Sequence, residues 1–145
     1  ALLEGTTAGT IDMIATDHAP HSASEKNRSF SDSLNGIVGM ECAFPVLYAY
    51  LVKQGILPLK QLIYLMSISP RERFSLDLST TDFTIFDLNA EYKVDSSHFL
   101  SQGRSTPFNG WEVNGKCIMT VLDGKVAWHE KQRVAWHEKQ KEVEL

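Results

Sequence analysis

The sequence predicts an α/β segment followed by a β-rich segment, and three observations carry that prediction. Thr10 to Thr16 is a short, mostly apolar run that ends in Asp17-His18-Ala19-Pro20. Two later runs, one from Gly39 and one from Pro58, space their apolar residues as helices do. After about Asp77 the chain changes to short β-forming runs, two of them joined by Asp123-Gly124.

Each element has its own reason. Thr10 to Thr16 lacks the polar alternation of a half-exposed strand, so a buried parallel strand is expected there. His21 to Asn35 is polar without periodicity, which predicts a long surface loop, and loops of that length are usually functional. Met40, Phe44, Leu47, Tyr48 and Leu51 predict an amphipathic helix stopped by Gly55, with its regular part starting near Pro45 or kinked there. Pro58 opens a second helix, with Leu59, Leu62, Ile63 and Met66 on one face, expected to end before Pro70. Phe83 to Leu88, Tyr92 to Val94 and Cys117 to Leu122 read as strands, and Asp123-Gly124 turns the last of them into Lys125-Val126-Ala127-Trp128. Val126 to Gln132 then recurs unchanged as Val134 to Gln140. Two copies do not make a solenoid, so the second is expected to trail as a charged extension, with His129 and His137 solvated rather than ligating metal. The expected divisions are residues 1–76, 77–128 and 129–145.

Composition excludes several roles. Of 145 residues 14 are basic and 18 acidic, a net charge of −4 with no basic run, so nucleic acid is not an expected partner. The apolar stretch from Phe44 to Val52 is nine residues, against roughly 20 for a membrane span. The chain lacks an initiator Met and a visible signal peptide, and its opening residues read as a chain entered in mid-helix. Cys42 and Cys117 lie 75 positions apart without a Cys/His cluster, which suits reduced thiols in the cytoplasm.

Asp17 closes the expected strand. An aspartate there either accepts backbone hydrogen bonds in a turn or, at the carboxyl end of a barrel strand, carries chemistry. The wider pattern is more specific. Thr16-Asp17-His18-Ala19-Pro20-His21 is followed in order by Gly36-Ile37-Val38-Gly39, Phe44-Pro45, Phe83-Thr84-Ile85-Phe86-Asp87-Leu88 and Gly103-Arg104-Ser105-Thr106-Pro107-Phe108. From Ala1 to about Trp128 the chain resembles the C-terminal third of bacterial class I dihydroorotase, in the metal-dependent amidohydrolase superfamily.

That resemblance implies an α/β fold: the last strand and helices of a (β/α)8 TIM barrel, followed by part of a small β-sandwich. A whole barrel takes roughly 250 residues, so the chain would be a piece of one. It implies a zinc-dependent hydrolase interconverting L-dihydroorotate and N-carbamoyl-L-aspartate in pyrimidine biosynthesis. Asp17 matches the family's metal-contacting, proton-shuttling base. His21 matches its substrate-binding histidine, and Asn35 and Gly36 match the loop pair that meets the ring through backbone groups. His18 is expected to be structural. The implied partners are a small-molecule substrate and either a second copy or the missing N-terminal part.

The sequence departs from the family in specific places. No His-x-His occurs, and Asp17 is the one credible ligand of the family's zinc set, so the chain alone is expected to be inactive. Leu34 stands in the loop triplet that is commonly Pro-Phe-Gly, Ser105 replaces an Asn, and Asp77 to Asp82 looks shortened. A related hydantoinase or allantoinase, and a non-catalytic remnant, are the rival readings. Without the missing strands, Ile11, Met13, Phe44 and Leu47 are expected to expose apolar surface.

Overall fold

Helices and one antiparallel sheet build the molecule, and their order follows from where the chain can satisfy its own backbone. A computed structural model describes residues 1–77 and 80–132. Helix α1 spans Leu2–Thr7 and α2 spans Ala23–Lys26. Helix α3, Ala43–Leu47, continues as a π-helical turn over Tyr48–Val52. Pro45 therefore falls in the first turn, where its missing N–H has no helical partner to lose. Helix α4, Leu59–Ile63, starts directly after Pro58 and also passes into a π-helical turn, Tyr64–Ile68, before α5, Ser69–Arg73.

That continuation corrects the expected stop before Pro70. A π-helical turn closes its hydrogen bonds over five residues rather than four. The wider winding moves the carbonyl that an α-helix would drive into the proline ring, so the helix runs through Pro70 to Arg73.

A second correction concerns Thr10 to Thr16, which forms no strand. A parallel strand exists through its neighbours, and among the described residues this segment's backbone is tethered only by Thr10 and Ile11 N–H to the Gly5 carbonyl, at 2.9 and 3.1 Å, and by Ile14 N–H to the Leu65 carbonyl at 3.0 Å, none of which makes a ladder. Among the described residues the region's one ladder contact is a single parallel bridge between His18 and Ile37. Ile11, Met13, Phe44 and Leu47 are half-buried rather than open. The apolar side chains that do face solvent are others, among them Phe30, Leu2, Met40 and Phe74.

The sheet has the order β1-β2-β3 with both pairs antiparallel. Strand β1 is Phe83–Lys93, β2 is Glu112–Leu122 and β3 is Lys125–His129. The two expected runs within β1 are one strand interrupted by an irregularity between Asp87 and Glu91, where the Asp87 carboxylate accepts from the backbone N–H groups of Asn89 and Ala90. Asp123 and Gly124 make the β2–β3 turn with φ of 50° and 70°, both left-handed, as a two-residue type I′ turn requires.

Helix α3 lies on β2. Gly115 permits the approach, because a Cβ there would sit 3.1 Å from the Phe44 ring and 3.3 Å from that of Tyr48. Cys42, Val46, Ala49, Val94 and Val113 form one buried cluster between helix and sheet. Leu57, Leu62 and Leu65 form a second, against which Ile14, Leu47 and Met66 pack. Buried Asn114 is satisfied by accepting from Lys53 Nζ at 2.9 Å and donating to Glu91 at 3.1 Å. No helix among the described residues is long and apolar enough to cross a membrane.

Candidate active-site loop junction

Three loops meet around Asp17 to His21, and glycines allow the meeting. Gly36 has a φ of 99°, and a Cβ on it would lie 2.5 Å from the Ala19 Cβ, so no other residue fits. The Ala19 N–H donates to the Ile37 carbonyl at 2.8 Å, holding the two loops in register. From the other side, a Cβ on Gly103 would come within 2.6 Å of the Pro20 carbonyl carbon and 2.7 Å of the His21 oxygen. The Val38 N–H donates to the Ser105 carbonyl at 2.8 Å and closes the triangle.

The junction thereby sets the backbone of the Asp17 to His21 segment against Gly36, the neighbour of Asn35, and against Gly103. Asp17 itself is exposed, in a left-handed conformation with φ of 48°. Such backbone costs an ordinary residue about 1 kcal/mol and least for Asp or Asn, so its position is imposed by the surrounding loops. Its carboxylate accepts no hydrogen bond among the described residues, which leaves it open for a ligand or a proton.

His18 does something different, as expected. Its Nδ1 lies 3.4 Å from the Gly39 N–H and 3.3 Å from the Met40 N–H, and its Nε2 lies 3.5 Å from Ser101 Oγ. Two backbone donors aimed at Nδ1 require it to accept, so the proton belongs on Nε2. Ser101 Oγ in turn donates to Glu41 at 2.6 Å, and the same carboxylate accepts from the N–H groups of Leu100 and Ser101 at 2.7 and 3.0 Å. His18 and Glu41 thus fasten the loop around residue 100 to the start of α3.

The polar loop from His21 to Asn35 contains α2, which the sequence reading missed. Ser22 and Glu25 form a reciprocal capping box at its start. The Ser22 hydroxyl and backbone N–H both donate to the Glu25 carboxylate and hold its pKa below the ordinary 4.5. Ser-x-x-Glu is a readable signal for that turn. Lys26, on the same turn, donates to the carbonyls of Leu34 at 2.7 Å and Gly36 at 3.0 Å, and so positions the Asn35-Gly36 pair.

The described residues contain no group of three or more His, Cys, Asp or Glu placed to hold a metal. Asp17 would supply one ligand at most, His18 is committed to backbone donors, and a zinc site needs three protein ligands. These residues do not by themselves fit zinc. His137 and the second copy of the repeat lie outside the described residues. His129 accepts at Nδ1 from the Lys131 N–H at 3.1 Å.

No family model matches the chain. It is 47% identical over 137 residues to the dihydroorotases of Bacillus thuringiensis (strain Al Hakam) and Bacillus cereus (strain AH187), covering 90% of this chain and 32% of each relative. The chain spans about a third of the length of these curated relatives. Among solved structures it is similar to the L-hydantoinase (dihydropyrimidinase) of Arthrobacter aurescens, with a TM-score of 0.79 and 31% identity over 89% of this chain and 31% of that one. The D-hydantoinase (dihydropyrimidinase) of a Thermus species has a TM-score of 0.81 at 25% identity, over 90% of this chain and 31% of that one. The dihydropyrimidinase of Brevibacillus agri, at 21% identity and a TM-score of 0.82, shares the fold.

Proposed function

We propose that this chain, which belongs over nine-tenths of its length with the dihydroorotases, carries the base and the substrate-side loops of a cyclic-amide hydrolase. The supporting observation is the junction: glycine-licensed backbone contacts set the Asp17 to His21 segment against Gly36, beside Asn35, while Asp17 stays exposed. In this reading residues 1–76 are the last β/α part of a (β/α)8 barrel and residues 77–128 the C-terminal strands of its β-sandwich. The missing barrel neighbours account for the absent strand at Thr10 to Thr16. The protein is cytoplasmic, and either a second copy or the rest of the barrel covers its exposed apolar side chains.

Hydrolysis adds water to a ring carbonyl, breaks the C–N bond and delivers a proton to the departing nitrogen. Asp17 takes the proton from water and hands it to nitrogen. His21 donates to the substrate carboxylate, and the backbone of Asn35 and Gly36 meets the ring amide. Were the rest of a barrel to complete the ligand set, Asp17 would be one ligand of a zinc ion, which would supply Lewis-acid activation of water.

The hydantoinase-like structures favour a second reading, a hydantoin-cleaving amidase. His21 separates the two, because a donor there suits a substrate with a free carboxylate and has no such partner on a simple hydantoin. Assays of the protein with its remaining barrel restored should show turnover of dihydroorotate, weakened mainly in KM by His21→Ala. Turnover of hydantoins alone would replace the first reading with the second.

A further inference from the structure

Lys26 reaches well beyond the short helix it ends. Ser33 Oγ donates to the Lys26 carbonyl at 3.3 Å, and the Lys26 ammonium donates back to the carbonyls of Leu34 at 2.7 Å and Gly36 at 3.0 Å. One half-buried cation thus holds the two carbonyls that flank Asn35. Gly36 is also pressed against Ala19, where a Cβ would come to 2.5 Å, so the loop pair is gripped by both the lysine and the segment that follows Asp17. Holding a carbonyl fixes the N–H beyond it. The Leu34–Asn35 peptide is trans, and in a trans peptide the C=O and the following N–H point in opposite directions. With the Leu34 carbonyl turned to Lys26, the Asn35 N–H is turned away from it. Among the described residues neither the Asn35 nor the Gly36 N–H has a protein acceptor. The charge-assisted bond to the Leu34 carbonyl also polarises that peptide, which strengthens its N–H as a donor.

We propose that Lys26 is a positioning residue for substrate: through the Leu34 and Gly36 carbonyls it aims the Asn35 N–H at an acceptor oxygen of the ring amide. The proposal rests on the cyclic-amide reading above and adds the residue that makes its loop contact possible. Lys26 acts without touching the ligand. A side chain of similar length that lacks a donor leaves both carbonyls without their cation, and the peptide between Leu34 and Asn35 is then free to turn. Substrate has to select the aligned fraction of molecules, so its apparent affinity falls by that fraction. Once bound, the aligned loop is the same as in the unaltered protein. The loss therefore falls on KM rather than on kcat.

Backbone dynamics and kinetics test this together. In the 145-residue chain, Lys26→Met should lower the NMR order parameters of the Asn35 and Gly36 amides from about 0.85 to below about 0.6, with those of β2 unchanged. Order parameters that stay high at Asn35 and Gly36 overturn the proposal, and so does a loss of order in β2 as well, which would make the lysine a support of the whole fold. In the protein with its remaining barrel restored, Lys26→Met should raise KM for the cyclic amide about tenfold or more, with kcat within about threefold. Lys26→Arg, which can still donate to both carbonyls, should recover most of that loss. A Lys26→Arg protein as impaired as Lys26→Met overturns the proposal. If His21→Ala raises KM while Lys26→Met does not, the assignment of Lys26 alone falls. A restored protein that turns over no cyclic amide removes the reading beneath it, and the assignment with it.

Discussion

The β1–β2–β3 sheet and the Asp17 loop junction are held together in opposite ways. The sheet is closed by its own sequence: each strand finds its neighbour within the described residues, and the tight turn between β2 and β3 is built from the two residues that demand it. The junction is held by contacts between loops distant in sequence, residue 19 on 36, 18 on 39 and 20 on 103. Its backbone has almost no ladder of its own. Local signals suffice for a hairpin, whereas a site assembled from crossing loops depends on glycines whose purpose shows only in three dimensions.

The largest expected effect breaks the support beneath both regions. Leu62 is fully buried in the cluster under α4, and Leu62→Ala should cost about 2–5 kcal/mol, measured as a fall in the urea midpoint. Gly103→Ala sharpens the contrast. Its Cβ would meet backbone rather than a side chain that can swing away, so a loss of about 1–3 kcal/mol is expected. Hydrogen exchange should rise in the 16–21 and 36–39 loops and stay unchanged in β2. Equal exchange changes in both would show that the two regions are one cooperative unit.

A smaller effect is expected in alkali, and it belongs to the sheet side. Burial pushes the Tyr92 hydroxyl up to about 12 from 10.0, and burial likewise raises the Cys42 and Cys117 thiols above 9.0. A folded pKa above the unfolded one means that the folded state keeps its proton while the unfolded chain has lost it. Stability is therefore intact below about pH 9 and falls as pH rises towards 12. Tyr92→Phe should remove the upper part of that fall, between 10 and 12, in a series of unfolding midpoints against pH.

The same contrast explains what the sequence disclosed. The helix after Pro58 was legible because proline and apolar spacing act within a few residues, and the hairpin because Asp-Gly tolerates positive φ. The passage of that helix through Pro70 was not, since a π-helical turn leaves no periodic signature over five residues. The missing strand at Thr10 to Thr16 shows the converse: its composition suits a buried strand, but hydrogen-bonding partners make a strand. Asp17, His21, Asn35 and Gly36 were singled out through resemblance to a family rather than through their own chemistry. Glu41 and Lys26, which brace the junction, drew no individual notice, and Gly103 entered only as the first residue of a matched string whose role in close packing shows in three dimensions.

Turnover of dihydroorotate by the protein with its whole barrel present, wild type against Asp17→Asn, tests the central claim that the open carboxylate at the junction carries the proton. The isosteric amide keeps the loop conformation, since Asn tolerates a positive φ as Asp does. The account predicts loss of turnover by at least about a hundredfold, the scale of general-base catalysis, with substrate binding largely retained. An Asp17→Asn protein that turns over dihydroorotate at the wild-type rate would contradict it.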